Sequence, residues 1–342
     1  MTWLGLDIGG ANLKASDGDR FARSQPFALW RDPARLPQEL RALLAAAPAA
    51  DRLAVTMTGE LADCFASKAQ GVRFIVDAVR EAAGERAVFI YLTDGRLVSP
   101  ELALRRPLLA AASNWHALAR FVGRYAARGP ALLLDVGSTT CDIIPLVDGI
   151  PAACGRNDTE RLLAGELVYT GVERSPVCAV AAVVPYRGQQ CPVAQELFAT
   201  ARDVYITLGQ LPEDAGCRDT ADGQPATRLA ARRRLARMIA ADVRQFSQRD
   251  ALVLAAAVAE AQTRQLAAAI RQVADRLAAW PSTVILSGHG DFLAQRALLH
   301  LGQRRRPLSL QDQLGPQQSR CAPACALAVL ARELSDAGKS HP

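Results

Sequence analysis

The sequence predicts an α/β protein organised as two domains around a cleft, and three observations carry that expectation. Apolar, strand-like runs alternate with helical stretches along the chain, which is the signature of the α/β class. The 342 residues exceed what one ordinary core organises, at roughly 150 residues per domain. The opening LGLDIGGANLKAS returns in the second half as LLLDVGSTTCDII, a strand ending in Asp-x-Gly, a small polar turn and another strand. A repeat at about one domain length implies duplicated halves. The expected domains are 1–128 and 129–321, with an Arg-rich helical insertion over 186–249 and a last helix, 322–336, that packs back onto the first domain.

The elements follow in order. Trp3 to Ile8 is an apolar strand, Gly9-Gly10 turns it, and Ala11 to Ser16 returns as the partner of a hairpin. Leu36 to Ala47 and Val72 to Ala83 read as helices, and Leu53 to Thr58 and Ala87 to Leu92 as the strands between and after them. Asn114 is the expected cap of a helix reaching Ala127, which Arg128-Gly129-Pro130 breaks before the strand Ala131 to Leu134. Ile143 to Val147 completes the second hairpin. Asp250 to Ala279 reads as one Ala-rich helix stopped by Trp280-Pro281, and strand Thr283 to Leu286 runs into Ser287-Gly288-His289-Gly290. Asp291 caps the next helix in this reading, and Pro323 to Leu334 forms the last.

Composition removes several classes of function. No stretch supplies the ~18 uninterrupted apolar residues of a membrane span, so no membrane partner is expected. The start MTWLGLDIGG lacks a basic segment followed by an apolar one, which places the chain in the cytoplasm with its eight cysteines as reduced thiols. No CxxC pair occurs and only four histidines are present, so a zinc site is not expected. The net charge of +6 is carried by 37 Arg and 3 Lys against 34 acidic residues. Clusters such as Arg232 to Arg234 come without aromatic platforms or a reader motif, so no nucleic-acid partner is expected. A homodimer is compatible with this composition.

The chemistry lies in the repeated turns. A Gly-rich hairpin turn bares backbone N–H groups, and an adjacent carboxylate can hold hydrated Mg²⁺; together they cradle a di- or triphosphate. One jaw is Gly9, Gly10, Ala11 and Asn12 with Lys14 as charge partner, the other Gly137, Ser138, Thr139 and Thr140, with Asp7 and Asp135 as the metal-holding carboxylates. Ser287, Gly288 and Gly290 form a third loop between strand and helix, where a helix N-terminus faces an anion.

These three segments resemble the two phosphate loops and the nucleoside loop of the actin, hexokinase and Hsp70 ATPase superfamily, within its hydantoinase/oxoprolinase-like branch. The resemblance implies two ribonuclease H-like domains. VTMTGELADCF (55–65), ASNWHALARF (112–121), GELVYTGVERSPV (165–177), ELFATARDVYITLG (196–209), TADG (220–223) and RLARMIAAD (234–242) narrow it to the tetrahydromethanopterin-linked C1-transfer proteins of methanofuran biosynthesis. Membership implies a transferase in which a tyramine phenol oxygen displaces diphosphate from a furan CH₂ carbon, with tyramine-type and diphosphate-bearing small molecules as partners. The phenol must lose a proton, and Glu60, Glu166, Glu196 and Asp203 are the carboxylates available for it; the sequence does not choose among them. Glu196, Thr200 and Asp203 share one helical face if a helix spans them. Mg²⁺ is the expected cofactor. ATP use is left open by Asn12, where many of these ATPases carry Thr or Ser, and by Cys141 in the second hairpin. An ATP-dependent kinase or hydantoinase/oxoprolinase-like hydrolase, and a nucleotide-binding regulator, are the alternatives on the same clamp.

Overall fold

The computed structural model describes residues 2–337. Its first sheet has the order β3-β2-β1-β4-β5-β6, built from β1 (Trp3–Ile8), β2 (Asn12–Ser16), β3 (Ala22–Pro26), β4 (Arg52–Met57), β5 (Ala87–Tyr91) and β6 (Leu97–Val98). β1 runs antiparallel to β2 and parallel to β4. The second sheet is made by β7 (Pro130–Val136), β8 (Cys141–Val147), β9 (Ile150–Pro151), β10 (Leu167–Val168), β13 (Thr283–Ser287) and β14 (Leu308–Ser309). Its order, β10-β8-β7-β13-β14, repeats the first: a hairpin on one side of the leading strand and a parallel partner on the other. The remaining strands, β11 (Val183–Tyr186) and β12 (Gln189–Pro192), form a separate hairpin. This is the duplicated, two-sheet α/β architecture expected from the repeated turns.

The two-residue period of the strands assigns each side chain to a layer. Leu4, Leu6 and Ile8 face the helices Leu36–Ala45 and Lys68–Ala83, whereas Trp3 points to the opposite side. In β7, Leu132, Leu134 and Val136 face the helices Gln248–Ala274 and Asp291–His300, while Ala131 and Leu133 point the other way. Between the sheets lies one shared layer, made by the helices Asn114–Val122 and Ala322–Ala337, with Trp115, Leu118 and Leu327 buried in it. Each fully buried leucine contributes about 2 kcal/mol of apolar transfer energy. Both sheets pack on this layer, and Asp7 of β1 and Asp135 of β7 both act on Lys14.

Several local expectations are corrected. The helix expected from Asn114 to Ala127 is α-helical only to Val122, and the residue before its first turn is Ser113, so Asn114 is not the cap. The long helix runs Gln248–Ala274, opened by a reciprocal Ser247–Asp250 capping box, and ends before Ala279. Thr200 is itself the cap of the helix Ala201–Thr207, so Glu196 lies outside that helix and the expected Glu196-Thr200-Asp203 face does not form. The segment expected to be a helical insertion begins inside the β11–β12 hairpin, whose turn is Arg187-Gly188, both at positive φ.

Candidate active site

The two repeated turns are built by the same hydrogen bond. Gly9 N–H donates to the Asn12 carbonyl at 3.0 Å, and Gly137 N–H donates to the Thr140 carbonyl at 2.9 Å. Both glycines therefore spend their N–H donors inside the turn. The donors left to a ligand belong to the residues between, Gly10 and Ala11 in one jaw and Ser138 and Thr139 in the other. The third loop is fastened to the second jaw, because Gly290 N–H donates to Val136 O at 3.0 Å and Ser287 lies beside Asp135 in the sheet register. Gly288 has φ +84, and an added Cβ would meet Val136 O at 2.2 Å and Asp135 Oδ1 at 2.8 Å. Only glycine fits there.

Across the first hairpin Asp7 pairs with Lys14, whose ammonium lies 3.5 Å from Asp7 Oδ2. Asp7 Oδ1 is buried with no hydrogen-bond partner, and burial raises the carboxyl pKa despite Lys14. Burial disfavours the Lys14 ammonium, but the Asp7 and Asp135 carboxylates together hold its pKa above the ordinary lysine value. Lys14 thus couples the first jaw to the second. Asp135 is pushed up to about 6 by burial and by Asp142, with Lys14 pulling it down. Asp142 is in turn paired with Arg161 at 2.5 Å, and the Arg161 guanidinium stacks 4.3 Å over the Trp115 ring.

Along this line, Asp7, Asp135 and Asp142 supply three negative charges and Lys14 and Arg161 two positive ones. Three carboxyl groups thus face two cations, and Asp7 Oδ1 lacks a donor. Both facts suit a divalent cation. No cluster of three or more His, Cys, Asp or Glu that could hold a metal is found among the described residues. Asp7 and Asp135 are the residues that would hold a divalent cation there, with waters and phosphate oxygens completing its shell.

Of the four carboxylates named as bases, Glu196 is exposed and outside the helix Ala201–Thr207, and the other three have different surroundings. Glu166 accepts the N–H groups of Cys154 and Gly155 at 2.8 and 3.0 Å, and Arg276 at 2.8 Å. Asp203 accepts two N–H groups of Arg234, at 2.9 and 2.6 Å, and the Thr200 N–H at 3.1 Å. These hydrogen bonds tie both carboxylates into the structure around them. Glu60 is 1% exposed, and its Oε2 has no partner. Burial pushes its pKa up to about 8, with Asp158 adding to the rise and Lys68 opposing it.

Two contacts that link the halves, and several within them, have no clear signal in the sequence. Lys68 Nζ lies 2.6 Å from Asp158 Oδ2, and the Arg174 guanidinium lies 4.4 Å from the centroid of the Trp30 ring. His289 Nε2 is 3.1 Å from Glu173 Oε1, and Arg202 also bonds Glu173; although burial works the other way, His289 and Arg202 hold Glu173 down to about 2. Trp115 is an anchor of the shared layer, His116 bonds the Tyr91 hydroxyl at 3.0 Å, and Tyr169 is exposed. Among the described residues no helix is long and apolar enough to cross a membrane.

Residues 51–334 match the family model described as Hydantoinase/oxoprolinase. The chain is 32% identical over 338 residues to the (4-{4-[2-(gamma-L-glutamylamino)ethyl]phenoxymethyl}furan-2-yl)methanamine synthase of Methanocaldococcus jannaschii, covering 97% of this chain and 98% of that one. A synthase of the same name from Methanococcus vannielii is 28% identical over 202 residues, 58% of this chain and 89% of that one. Among solved structures, nucleotide-free acetone carboxylase matches with a TM-score of 0.50 at 12% identity, covering 96% of this chain and 70% of that one. At that identity the likeness is one of fold.

Proposed function

The chain belongs to the hydantoinase/oxoprolinase family, and on that premise we propose that it is a transferase of methanofuran-type cofactor biosynthesis. It joins the phenol oxygen of a glutamyl-tyramine to the CH₂ carbon of an aminomethylfuran methyl diphosphate and releases pyrophosphate. The observation that carries this reading is the 32% identity over nearly the full length of a synthase whose product contains a phenoxymethyl-furan link.

Making such a link requires a bond from a phenol oxygen to a furan CH₂ carbon and a leaving group on that carbon. A fold whose two turns face each other offers a place for a diphosphate in that role. In this reading Lys14, the N–H groups of Gly10, Ala11, Ser138 and Thr139, and the Ser138 and Thr139 hydroxyls hold the diphosphate oxygens. Donors fixed in place before the reaction stabilise the negative charge that grows there as the C–O bond breaks. Mg²⁺ bound at Asp7 and Asp135 would supply further neutralisation of the departing diphosphate. The furan ring shares positive charge with the CH₂ carbon, which lowers the demand on the nucleophile.

Purified protein incubated with Mg²⁺, the furan diphosphate and γ-glutamyltyramine tests the reading directly. Ether and pyrophosphate are expected in equal amounts without ATP. Phosphate release from ATP that depends on a small substrate would instead make the protein an ATP-dependent enzyme, and nucleotide binding without turnover would make it a regulator.

A further inference from the structure

Glu60 is placed by two close approaches. Gly59 abuts the first phosphate turn so tightly that an added Cβ would sit 3.3 Å from the Gly9 backbone, which puts Glu60 one residue from that jaw, just beyond the carboxyl end of β4. Ligands of α/β sheets bind at that end. On its other side the helix Lys68–Ala83 presses Gly71 against the Glu60 main chain, where a Cβ would come within 2.4 Å of the carbonyl oxygen.

The backbone is thus fixed, yet the carboxyl group is left incompletely bonded. Oε2 is buried and meets no donor, in a molecule where buried polar atoms are as a rule hydrogen-bonded. Ala112, whose N–H lies close enough to act on this carboxylate, is held in the left-handed region at φ 48. Backbone strain beside an unpaired buried carboxyl oxygen is a feature of positions kept for chemistry rather than for stability. The charged groups facing Glu60 are Lys68, on the helix that packs against it, and Asp158, from the second half of the chain; their ion pair joins the two halves over this spot.

We propose that Glu60 is the base that takes the phenol proton of the tyramine-type substrate, at Oε2. The assignment rests on the condensation described above. The phenol O–H proton passes to Oε2, the phenol oxygen forms the bond to the furan CH₂ carbon, and the C–O bond to the diphosphate breaks with its electron pair leaving on the diphosphate oxygen. Ether, pyrophosphate and a protonated Glu60 result, and the proton returns to solvent when the cleft opens. A carboxyl group raised to about 8 lies closer to the phenol pKa of about 10 than an ordinary carboxylate does, which makes the transfer less uphill.

The experiment compares the full chain and Glu60→Gln on γ-glutamyltyramine and on a ring-fluorinated analogue whose phenol is more acidic. With the natural ring the Gln variant should lose ~10²-fold or more in kcat while keeping its thermal unfolding transition, and the loss should shrink at least about tenfold with the fluorinated ring. The wild-type rate should rise through about pH 8, and that limb should be missing from the variant. A Gln variant as fast as the wild type, or an equal loss on both rings, overturns the assignment. Should the variant fail to fold, the wild-type profile decides: a rise through about pH 8 that flattens with the fluorinated ring supports Glu60, and a flat profile on both rings overturns it. A wild-type protein that forms no ether with either substrate refutes the underlying condensation, a result distinguishable from failure of Glu60 alone.

Discussion

Asp142 stands opposite Asp135 across the second hairpin, at the position where Lys14 stands opposite Asp7 in the first. One repeated motif has therefore become a pair with unlike electrostatics. The first jaw neutralises its own carboxylate, whereas the second holds two like charges in partial burial and relies on Arg161 and on Lys14 from across the cleft. The asymmetry leaves a net negative charge where a cation and a diphosphate would sit together. Asp7→Asn and Asp135→Asn are each expected to lower pyrophosphate release at least ~100-fold at saturating substrate, with the fold retained by circular dichroism. Full activity in both variants would remove the metal-clamp assignment.

The Lys68–Asp158 ion pair links helix Lys68–Ala83 of the first half to helix Asp158–Ala164 of the second, and both side chains are largely buried. A double-mutant cycle with Lys68→Met and Asp158→Asn should give a coupling of ~1 kcal/mol in urea unfolding. If the pair also closes the cleft, KM for the furan diphosphate rises in each single variant. A coupling indistinguishable from zero would reduce the contact to an incidental one.

Arg234 is fully buried and bonds Asp203 twice, with Asp222 at 2.9 Å on its other side. Replacing it by Leu strands the Asp203 charge, at a cost of about 3–5 kcal/mol. The expectation is a marked fall in the denaturation midpoint, with kcat of the folded fraction changed less than tenfold. A catalytic Asp203 would instead show a rate loss far larger than the stability loss.

Glu60 makes stability depend on pH in a defined direction. Its carboxyl is raised from 4.5 to about 8 in the folded chain, so the native state binds more protons than the unfolded state between those values. This contribution is fully present below about pH 4.5 and is lost as pH rises through about 8, with a slope of up to ~1.4 kcal/mol per pH unit. Urea titrations from about pH 5 to pH 8 should show Glu60→Gln losing less stability than the wild type. Parallel curves would mean that Glu60 is ionised throughout.

What could be read from the sequence was local. Asp-x-Gly turns, their recurrence and the Ser287-Gly288-His289-Gly290 loop are short-range patterns, and each lies where its strand ends in the structure. The Thr200-x-x-Asp203 capping box was also visible in the sequence, and reading it would have placed Glu196 outside the helix. Contacts between distant segments were not legible. Lys68 and Asp158 are 90 residues apart, and the layer shared by the two sheets is completed by a helix from the far end of the chain, Ala322–Ala337. The lack of a donor at Glu60 Oε2 is likewise set by what surrounds it, including the unusual backbone of Ala112, and has no one-dimensional signature.

The central claim is that the phenol oxygen attacks and the diphosphate leaves from carbon. Tyramine substrate labelled with ¹⁸O at the phenol, turned over in the absence of ATP, tests it most directly by mass spectrometry of both products. The label is expected in the ether and not in pyrophosphate, with the two products equal in amount. Label in a phosphate product, or ether formation that requires ATP, would contradict it.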